Sequence, residues 1–426
     1  MTHTHSMRTL GAAFVVALVA TAPVEAQLAN ASAATLAQGG NAVATARGFA
    51  AIASNPAGLG MTGNPGFSLA LAPVYVRTGL GPVTLSDLKD VEGQVVSPAT
   101  KEDWLSRIAV QGGQTGSVGA RVSALALSAG RIGFQLSTLA SGRMSLSPGV
   151  AEAILYGNAG RTGEATDLEI TGSTLDGYAV TTAGLSLGLP IAVADGELAV
   201  GATLKGSIGH ALVVAQGSTG RFQSDPLRVD LRFPMVLTGE DDVGSSGSGV
   251  GLDVGVSLRR DRLSAGASVS NIVNTFSWDT GTLRFREGTA VLEEGNNASD
   301  FDEQPYANAP AALQSLVDDK GFQPAITLGA AYDVSPTFRV MGDLRNRFGE
   351  GLDVGPDFQA GVGGEFRAVS VLALRAGAAV ITDGVQFGGG GSLVLGPVNL
   401  SMAVARQQGD LDDSTIGQFT LSFGAN

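Results

Sequence analysis

The chain contains no cysteine and few charged residues, and both scarcities narrow the classes of protein that it can belong to. Without Cys among its 426 residues, it cannot hold a cysteine-based zinc site or an iron–sulfur cluster, and it cannot use a thiol nucleophile. A thiol-free chain also suits an oxidising compartment, where a stray thiol would cross-link. Charged residues form 15% of the chain, against about 25% in typical soluble proteins, which favours a membrane barrel over a soluble enzyme.

Clustered basic residues are also scarce. The formal net charge is −13, and the one tight basic group, formed by Arg259, Arg260 and Arg262, falls at a predicted turn. Nucleic acid is held by larger groups of Lys and Arg, which neutralise the phosphates. We therefore expect no nucleic-acid partner.

Long apolar segments are missing after the amino terminus. Residues 10–20 (LGAAFVVALVA) follow Arg8 and precede Val24-Glu25-Ala26, a pattern that predicts a secretory signal peptide over residues 1–26. A membrane anchor is the alternative, although the run is shorter than the ~20 residues that a spanning helix needs. Later segments of that length all contain charges or Gly. A mature chain that spans a membrane must therefore do so as a closed barrel, because backbone groups in lipid need internal partners.

The pattern that the sequence does show is a period of two in its apolar residues. Within residues 251–259, Leu252, Val254, Val256 and Leu258 alternate with small or polar residues, and the alternation resumes after a short turn. This period is the signal of a β-strand. Its repetition predicts an all-β fold, a transmembrane antiparallel β-barrel. Counting the runs gives about 14 to 16 strands, bacterial barrels close with an even number, and we predict about 14. A soluble β-sandwich or β-helix is the alternative.

Several segments interrupt the alternation and set the predicted domain boundaries. Residues 27–62, rich in Ala, Gly and Asn, precede the barrel, which covers residues 63–426 and has long extracellular loops. Short helices are predicted to open at Ser97-Pro98 and at Pro310, since Ser caps helices and Pro suits the first helical position. A glycine tract at residues 388–391 lies inside a strand, where glycine marks a close approach, a bend or a lateral opening.

One segment carries a family resemblance. Residues 39–61 (GGNAVATARGFAAIASNPAGLGM) resemble the start of the FadL/TodX family of outer-membrane hydrocarbon and fatty-acid transporters, whose Asn-Pro-Ala element falls here at Asn55, Pro56 and Ala57. PorV-like outer-membrane proteins share this element. The resemblance implies that residues 27–61 fold back into the barrel as a hatch, with the Asn-Pro-Ala element at the gate. A disordered leader is the alternative.

The same resemblance implies a function and a location. A FadL-like barrel would sit in the lipid of the bacterial outer membrane and take up hydrophobic small molecules, such as long-chain fatty acids, by passive diffusion through an apolar pocket between hatch and wall. A PorV-like barrel would transport nothing and would instead dock a periplasmic or secreted protein partner. The sequence leaves both hypotheses open.

Arginines in the predicted strands are the candidate ligand-binding residues. Arg375, Arg367 and Arg345 could each receive a ligand carboxylate in a bidentate pair. The alternative is that lumen arginines pair for structure with lumen acids, for which Asp253, Asp343 and Asp357 are available.

Signals of catalysis are weak. Residues 184–188 fit G-x-S-x-G around Ser186, and His210 would be the one histidine left after the signal is removed. That motif needs a turn from strand to helix, whereas the residues here lie inside an alternating strand. We therefore expect no catalytic residues, no cofactor and no metal.

Overall fold

A computed structural model describes residues 28–157, 160–164, 166–293, 295–352, 354–409 and 413–425. The predicted signal peptide lies outside the described residues.

The chain forms a closed antiparallel barrel of 14 strands. Each strand pairs with its neighbours in chain order, and the last pairs with the first, which removes the sheet edges. The predicted fold class and strand number are confirmed. The barrel strands are β1 (Phe67–Gly81), β2 (Gln114–Ala129), β3 (Ile132–Leu146), β4 (Thr174–Ile191), β5 (Glu197–Ala215), β6 (Gly247–Arg260), β7 (Leu263–Asn274), β8 (Ala325–Ser335), β9 (Phe338–Arg347), β10 (Phe358–Val369), β11 (Leu372–Ile381), β12 (Gly384–Leu395), β13 (Val398–Gly409) and β14 (Asp413–Ala425).

The two faces of the wall differ as the period of two predicts. On β13, Met402 and Val404 point outward and are each 61% exposed, while Ser401, Ala403 and Ala405 point inward and are buried. An outward apolar face with a small or polar inner face is what a barrel in lipid requires.

The barrel has a short-turn end and a long-loop end. Turns of two residues join β2 to β3, β6 to β7, β8 to β9, β10 to β11 and β12 to β13 at the short-turn end. Residues 82–113, 147–173, 216–246, 275–324 and 348–357 form the long loops at the opposite end. The helices are α1 (Ala33–Ala37), α2 (Phe49–Ser54), α3 (Leu85–Asp90), α4 (Pro98–Gln111), α5 (Pro148–Tyr156) and α6 (Ala311–Asp318).

The predicted helix starts are confirmed. Ser97 caps α4 by accepting a hydrogen bond from the backbone N–H of Thr100, with Pro98 at the first position. Pro310 directly precedes α6. Among the described residues, every helix is too short or too polar to cross a membrane.

The long loops fold over one side of the barrel mouth. Side chains of β3, β4 and β5 join loop side chains in the largest apolar core among the described residues, which includes Tyr178, Leu212, Trp278, Phe285, Leu313 and Phe322. A second sheet outside the barrel is built from Leu168–Glu169, Thr219–Ser224, Leu227–Arg232, Thr289–Glu293 and Asn296–Asp300. The loops therefore form a packed cap rather than free connections.

Candidate functional site

The segment ahead of the barrel lies inside it. We call residues 28–61 the hatch. Helix α1 contacts β12 and β13, α2 contacts β3, and the 3₁₀ turn Pro56–Gly60 contacts β4, β5 and β6. The hatch thus touches the wall on opposite sides of the lumen.

Glycines of the wall let the hatch approach so closely. At each of the following positions a Cβ would lie within 3 Å of a hatch atom, so only glycine fits without displacement: Gly188, Gly201, Gly255, Gly266, Gly329, Gly363, Gly377 and Gly388. We call this set the glycine belt. It runs around most of the barrel, and it accounts for part of the high glycine content, 61 residues.

The glycine tract of residues 388–391 belongs to this arrangement. Strand β12 pairs without a register shift with both β11 and β13, so the wall has no opening there. A Cβ at Gly388 would lie 2.6 Å from the carbonyl oxygen of Leu36 in α1, whereas one at Gly389 would meet nothing closer than 3.9 Å. Of the three predicted meanings of the tract, close approach is the correct one.

Asn55 ties the hatch to the wall. Its side chain is fully buried, donates to the carbonyl oxygens of Val43 and Val256, both at 2.9 Å, and accepts from the backbone N–H of Ala57 at 3.1 Å. Pro56 and Ala57 follow directly against Gly201. The Asn-Pro-Ala element therefore lies at the contact between hatch and wall, and its role at a gate stays a prediction.

A buried carboxylate forms a second tie, on the other side of the hatch. One oxygen of Asp343 in β9 accepts from the backbone N–H groups of Ala42 and Val43, at 2.7 and 2.9 Å. Asn41 in turn accepts from the backbone N–H of Asp343 at 2.6 Å. In the described part of the chain Asp343 has no cationic partner, so hatch backbone takes the place that a lumen arginine was expected to fill.

A cavity of about 570 Å³ lies between the hatch and the wall toward the long-loop end. Its floor carries apolar hatch side chains, among them Leu28, Leu36 and Val43. Its wall is strongly charged, with the cations Arg77, Arg121, Arg143, Lys320, Arg345 and Arg347 and the acids Asp176, Asp343, Glu350, Asp357 and Asp383. The predicted apolar pocket is thus apolar on one side only.

Two of these cations have no carboxylate partner. Arg347 pairs with Asp357 and Lys320 pairs with Asp176, but within the described ranges neither Arg121 nor Arg345 forms an ion pair. The Arg121 guanidinium stacks 4.5 Å above the Tyr75 ring and donates to a backbone carbonyl at 3.1 Å.

The two unpaired guanidinium groups also lie close together. A Cβ at Gly355 would lie 3.9 Å from a terminal nitrogen of each. Two adjacent cations that lack a carboxylate at a water-accessible cavity form a place where an anion can bind.

The three predicted arginines do not converge. Arg345 lines this cavity, whereas Arg375 and Arg367 lie near the short-turn end and share one carboxylate, Glu365, at 2.7 and 2.8 Å. Arg121 of β2 lines the same cavity as Arg345. The acids also differ in role, since Asp357 pairs with an arginine as predicted, while Asp253 pairs with Lys205 at 2.6 Å.

Ser186 and His210 are not arranged as a catalytic pair. The Ser186 hydroxyl is hydrogen-bonded to Thr203 at 2.7 Å, whereas the His210 ring contacts the Thr181 hydroxyl and the carbonyl oxygen of Gly244. Thr203 and His210 lie on the same strand, seven residues or roughly 23 Å apart. A serine hydrolase needs its nucleophile and base within hydrogen-bond reach, so this motif carries no catalysis.

Solved structures share the fold. The chain is similar to the Ralstonia pickettii toluene transporter TbuX, with a TM-score of 0.51 and 13% identity, over 93% of this chain and 98% of that one. The P. putida toluene transporter TodX gives a TM-score of 0.51 and 13% identity, over 92% and 98%. This likeness confirms the FadL/TodX-like fold that residues 39–61 indicated. The PorV-like relationship stays a prediction.

A comparison of the sequence with known proteins and with family models assigns the chain to a family. Among curated proteins none matches the chain. A family model described as "F plasmid transfer operon, TraF, protein" matches residues 96–346, which is more than half of the 426 residues. The chain therefore belongs to the family described as F plasmid transfer operon, TraF, protein.

Proposed function

We propose that the protein is a passive channel of the bacterial outer membrane, through which small molecules enter by way of the cavity above the hatch. The observation that carries the proposal is this cavity of about 570 Å³, bounded by hatch and wall inside a closed barrel. In such barrels the long loops face outward and the short turns face the periplasm, so the cavity opens toward the outside. The similar solved structures, both described as toluene transporters, support a channel.

The cavity favours an amphipathic anion. Arg121 and Arg345 supply two cations without carboxylate partners, and the floor beside them supplies Leu36 and Val43 as apolar contacts. A fatty acid, with a carboxylate head and an apolar tail, belongs to this class. A neutral hydrocarbon would leave both guanidinium groups without an anion, so we propose that the charged head group distinguishes the substrate of this chain from toluene.

The hatch is the proposed gate, and the Asn-Pro-Ala element its anchor. Asn55 holds Val43 on one side and the β6 backbone on the other, while Ala57 packs against the wall at Gly201. Movement of the segment near Val43 therefore requires a change at Asn55. Arg375 and Arg367, bound to Glu365 far from this cavity, are not part of the entry site.

Uptake into liposomes tests the entry site. The probe is a radiolabelled medium-chain alkyl sulfonate, whose permanent charge prevents it from crossing lipid unaided. Replacing both Arg121 and Arg345 with Met should lower its uptake by about tenfold or more, since a hydrogen bond to a charged group contributes ~1.5–3 kcal/mol. Uptake of a neutral alcohol of the same chain length should change little. Arg221→Met, which removes a cation from the outer sheet where Arg221 pairs with Asp167, is the matched control.

Two outcomes would contradict the proposal at different levels. If the double variant takes up the sulfonate as fast as the unaltered protein, the arginines do not form the head-group site. If the unaltered protein, correctly inserted, never exceeds empty liposomes, the channel itself is refuted. The docking hypothesis would then be the better account, with a protein partner bound at the cap, where Val95 and Ile154 are among the exposed apolar side chains.

A further inference from the structure

The barrel wall is low on the side opposite the cap. Strands β4 and β5, which carry the cap, comprise 18 and 19 residues, whereas β11 and β12 comprise 10 and 12. For strands tilted by roughly 40°, this difference makes the wall beneath the cap taller by roughly 20 Å. Only Thr382-Asp383 joins β11 to β12, and residues 410–412 join β13 to β14. We call residues 381–384 the rim.

The apolar outer face of this low wall extends almost to the rim. Val380 and Phe387, on either side of the rim, point outward and are 56% and 55% exposed. On the next strand Arg406 points outward and pairs with Asp413 at 3.0 Å. Because charged side chains are unfavourable in hydrocarbon, this ion pair marks the upper edge of the apolar band.

The height of the rim above that edge matches one head-group layer. Arg406 lies three residues before the end of β13 at Gly409, which is roughly 8 Å along the barrel axis. The polar layer on each side of a bilayer is roughly 5–8 Å thick. The rim therefore lies among the lipid head groups of the outer leaflet.

The cavity above the hatch reaches the same rim from the inside. Ile381 and the turn Thr382-Asp383 line it. Ile381, Ile416 of β14 and Leu36 of the hatch are buried and give the cavity an apolar surface just inside the rim. An alkyl chain that crosses the rim thus passes from one apolar surface to another, with a single two-residue turn between them.

The two arginines without carboxylate partners lie near the level of the rim. Arg345 of β9 is paired in register with Gln359 of β10, and Gln359 with Ile381 of β11. Arg345 is therefore two strand spacings, about 10 Å, from the rim, and Arg121 lies beside it. A head group that enters from the lipid surface would need only a short sideways movement to reach both guanidinium groups.

We propose that the substrate comes from the outer leaflet of the membrane, as a single-chain anionic amphiphile that passes over the rim. Its tail lies against Ile381 and Leu36, and its head group binds Arg121 and Arg345. This inference rests on the proposed function and adds the source of the substrate. The amphiphile passes over the wall and not through it, because β11 to β14 keep their pairing.

A polymer attached outside the rim tests the source. The natural chain has no Cys, so Arg406→Cys can be coupled to a large polyethylene glycol maleimide, which will occupy the head-group layer in front of the rim. Ile154→Cys, at a 68% exposed position of the cap helix α5, carries the same polymer as the matched control. Before coupling, both variants should transport like the unaltered protein.

Two sulfonates with different tails serve as probes in liposomes. Hexadecyl sulfonate resides in the leaflet and hexyl sulfonate mostly in water, since every methylene adds to the affinity for lipid. Uptake is the fraction that external cyclodextrin no longer extracts, expressed per labelled molecule. The polymer at position 406 should remove most of the uptake of hexadecyl sulfonate and lower that of hexyl sulfonate only slightly, because the approach from water stays open. The polymer at position 154 should change neither.

The outcomes separate the source from the channel. Equal losses of both probes with the polymer at position 406, or an unchanged uptake of hexadecyl sulfonate, would overturn the leaflet as the source and leave the channel intact. If the unaltered protein, with insertion verified, takes up neither probe above empty liposomes, the channel itself is refuted.

Photocrosslinking gives a second measurement that does not depend on transport. Hexadecyl sulfonate with a diazirine at the end of its tail is placed in the external leaflet. Without the polymer it should label Phe387 outside the wall and Ile381 and Leu36 inside it. With the polymer at position 406, the inside labels should disappear while labels on the outer wall remain. Inside labels that persist would show that the amphiphile enters by another path.

Discussion

Gly377→Val is expected to open the lumen by pushing the hatch off the wall. A Cβ at Gly377 would lie 2.2 Å from the carbonyl carbon of Gln38, an atom of the hatch backbone that cannot rotate away. Overpacking of this kind costs about 1–3 kcal/mol, and only a shift of the hatch backbone at Gln38 can relieve it. We expect a several-fold rise in single-channel conductance, and new protease cleavage within residues 28–61.

Gly389→Val is the matched control for that substitution. Gly389 lies on a neighbouring strand, and a Cβ there would meet no atom closer than 3.9 Å. The same side chain should therefore leave conductance and proteolysis unchanged. Equal conductance for both variants would mean that the glycine belt does not position the hatch.

Asn55→Ala is expected to loosen the hatch from inside. The substitution leaves the carbonyl oxygens of Val43 and Val256 and the N–H of Ala57 without their partner in a fully buried place. Each unsatisfied buried group costs about 1–3 kcal/mol, so this variant should lose more free energy of unfolding than a typical single substitution causes. Hydrogen exchange should become faster at residues 42–46 and 55–58, and the resting conductance should rise.

Asn64→Ala provides the comparison for this variant. Asn64 also bridges hatch and wall, because it accepts from Gly48 and donates to the carbonyl oxygen of Gly130 at the short-turn end, but it is only partly buried. Because water can replace the hydrogen bonds of Asn64, this variant should change hydrogen exchange and resting conductance only slightly. Faster exchange at residues 42–46 in this variant, or no faster exchange there in Asn55→Ala, would argue against Asn55 as the anchor of the hatch segment near Val43.

The fold was predictable from the sequence because it depends on local alternation. In a barrel surrounded by lipid, neighbouring side chains of a strand face opposite environments. The runs Leu252 to Leu258 and Val398 to Val404 show this as an alternation of apolar with small or polar residues. The position of the Asn-Pro-Ala element was predictable from a resemblance. Its hydrogen bonds to Val43 and Val256 were not, since they join residues far apart in the chain.

The site was less predictable because arginines in strands look alike in a sequence. Arg345 and Arg375 both follow a leucine inside a strand, yet Arg345 faces the cavity above the hatch without a carboxylate, whereas Arg375 is bound to Glu365. Whether such an arginine lines the cavity or pairs with an acid depends on its position along the barrel axis and on which strand is its neighbour. Asp343 shows the same limit, as its partners are backbone N–H groups, which no side-chain pattern reveals.

The glycines carried a signal that the sequence interpretation used only in part. Gly388 and Gly390 sit at alternate positions of β12 and face inward, while Gly389 faces outward. Inward glycine at every second position, repeated on several strands, indicates a chain packed inside the barrel. That rule could have located the hatch contacts without a structure.

The most direct test is conductance in a planar lipid bilayer, comparing the unaltered protein with a variant that lacks residues 28–61. If the hatch closes a barrel that lipid surrounds, the full chain should pass little current, and the shortened chain should form a large, steady pore. Equal currents from the two proteins, with insertion of both verified, would contradict a barrel closed by its own amino-terminal segment.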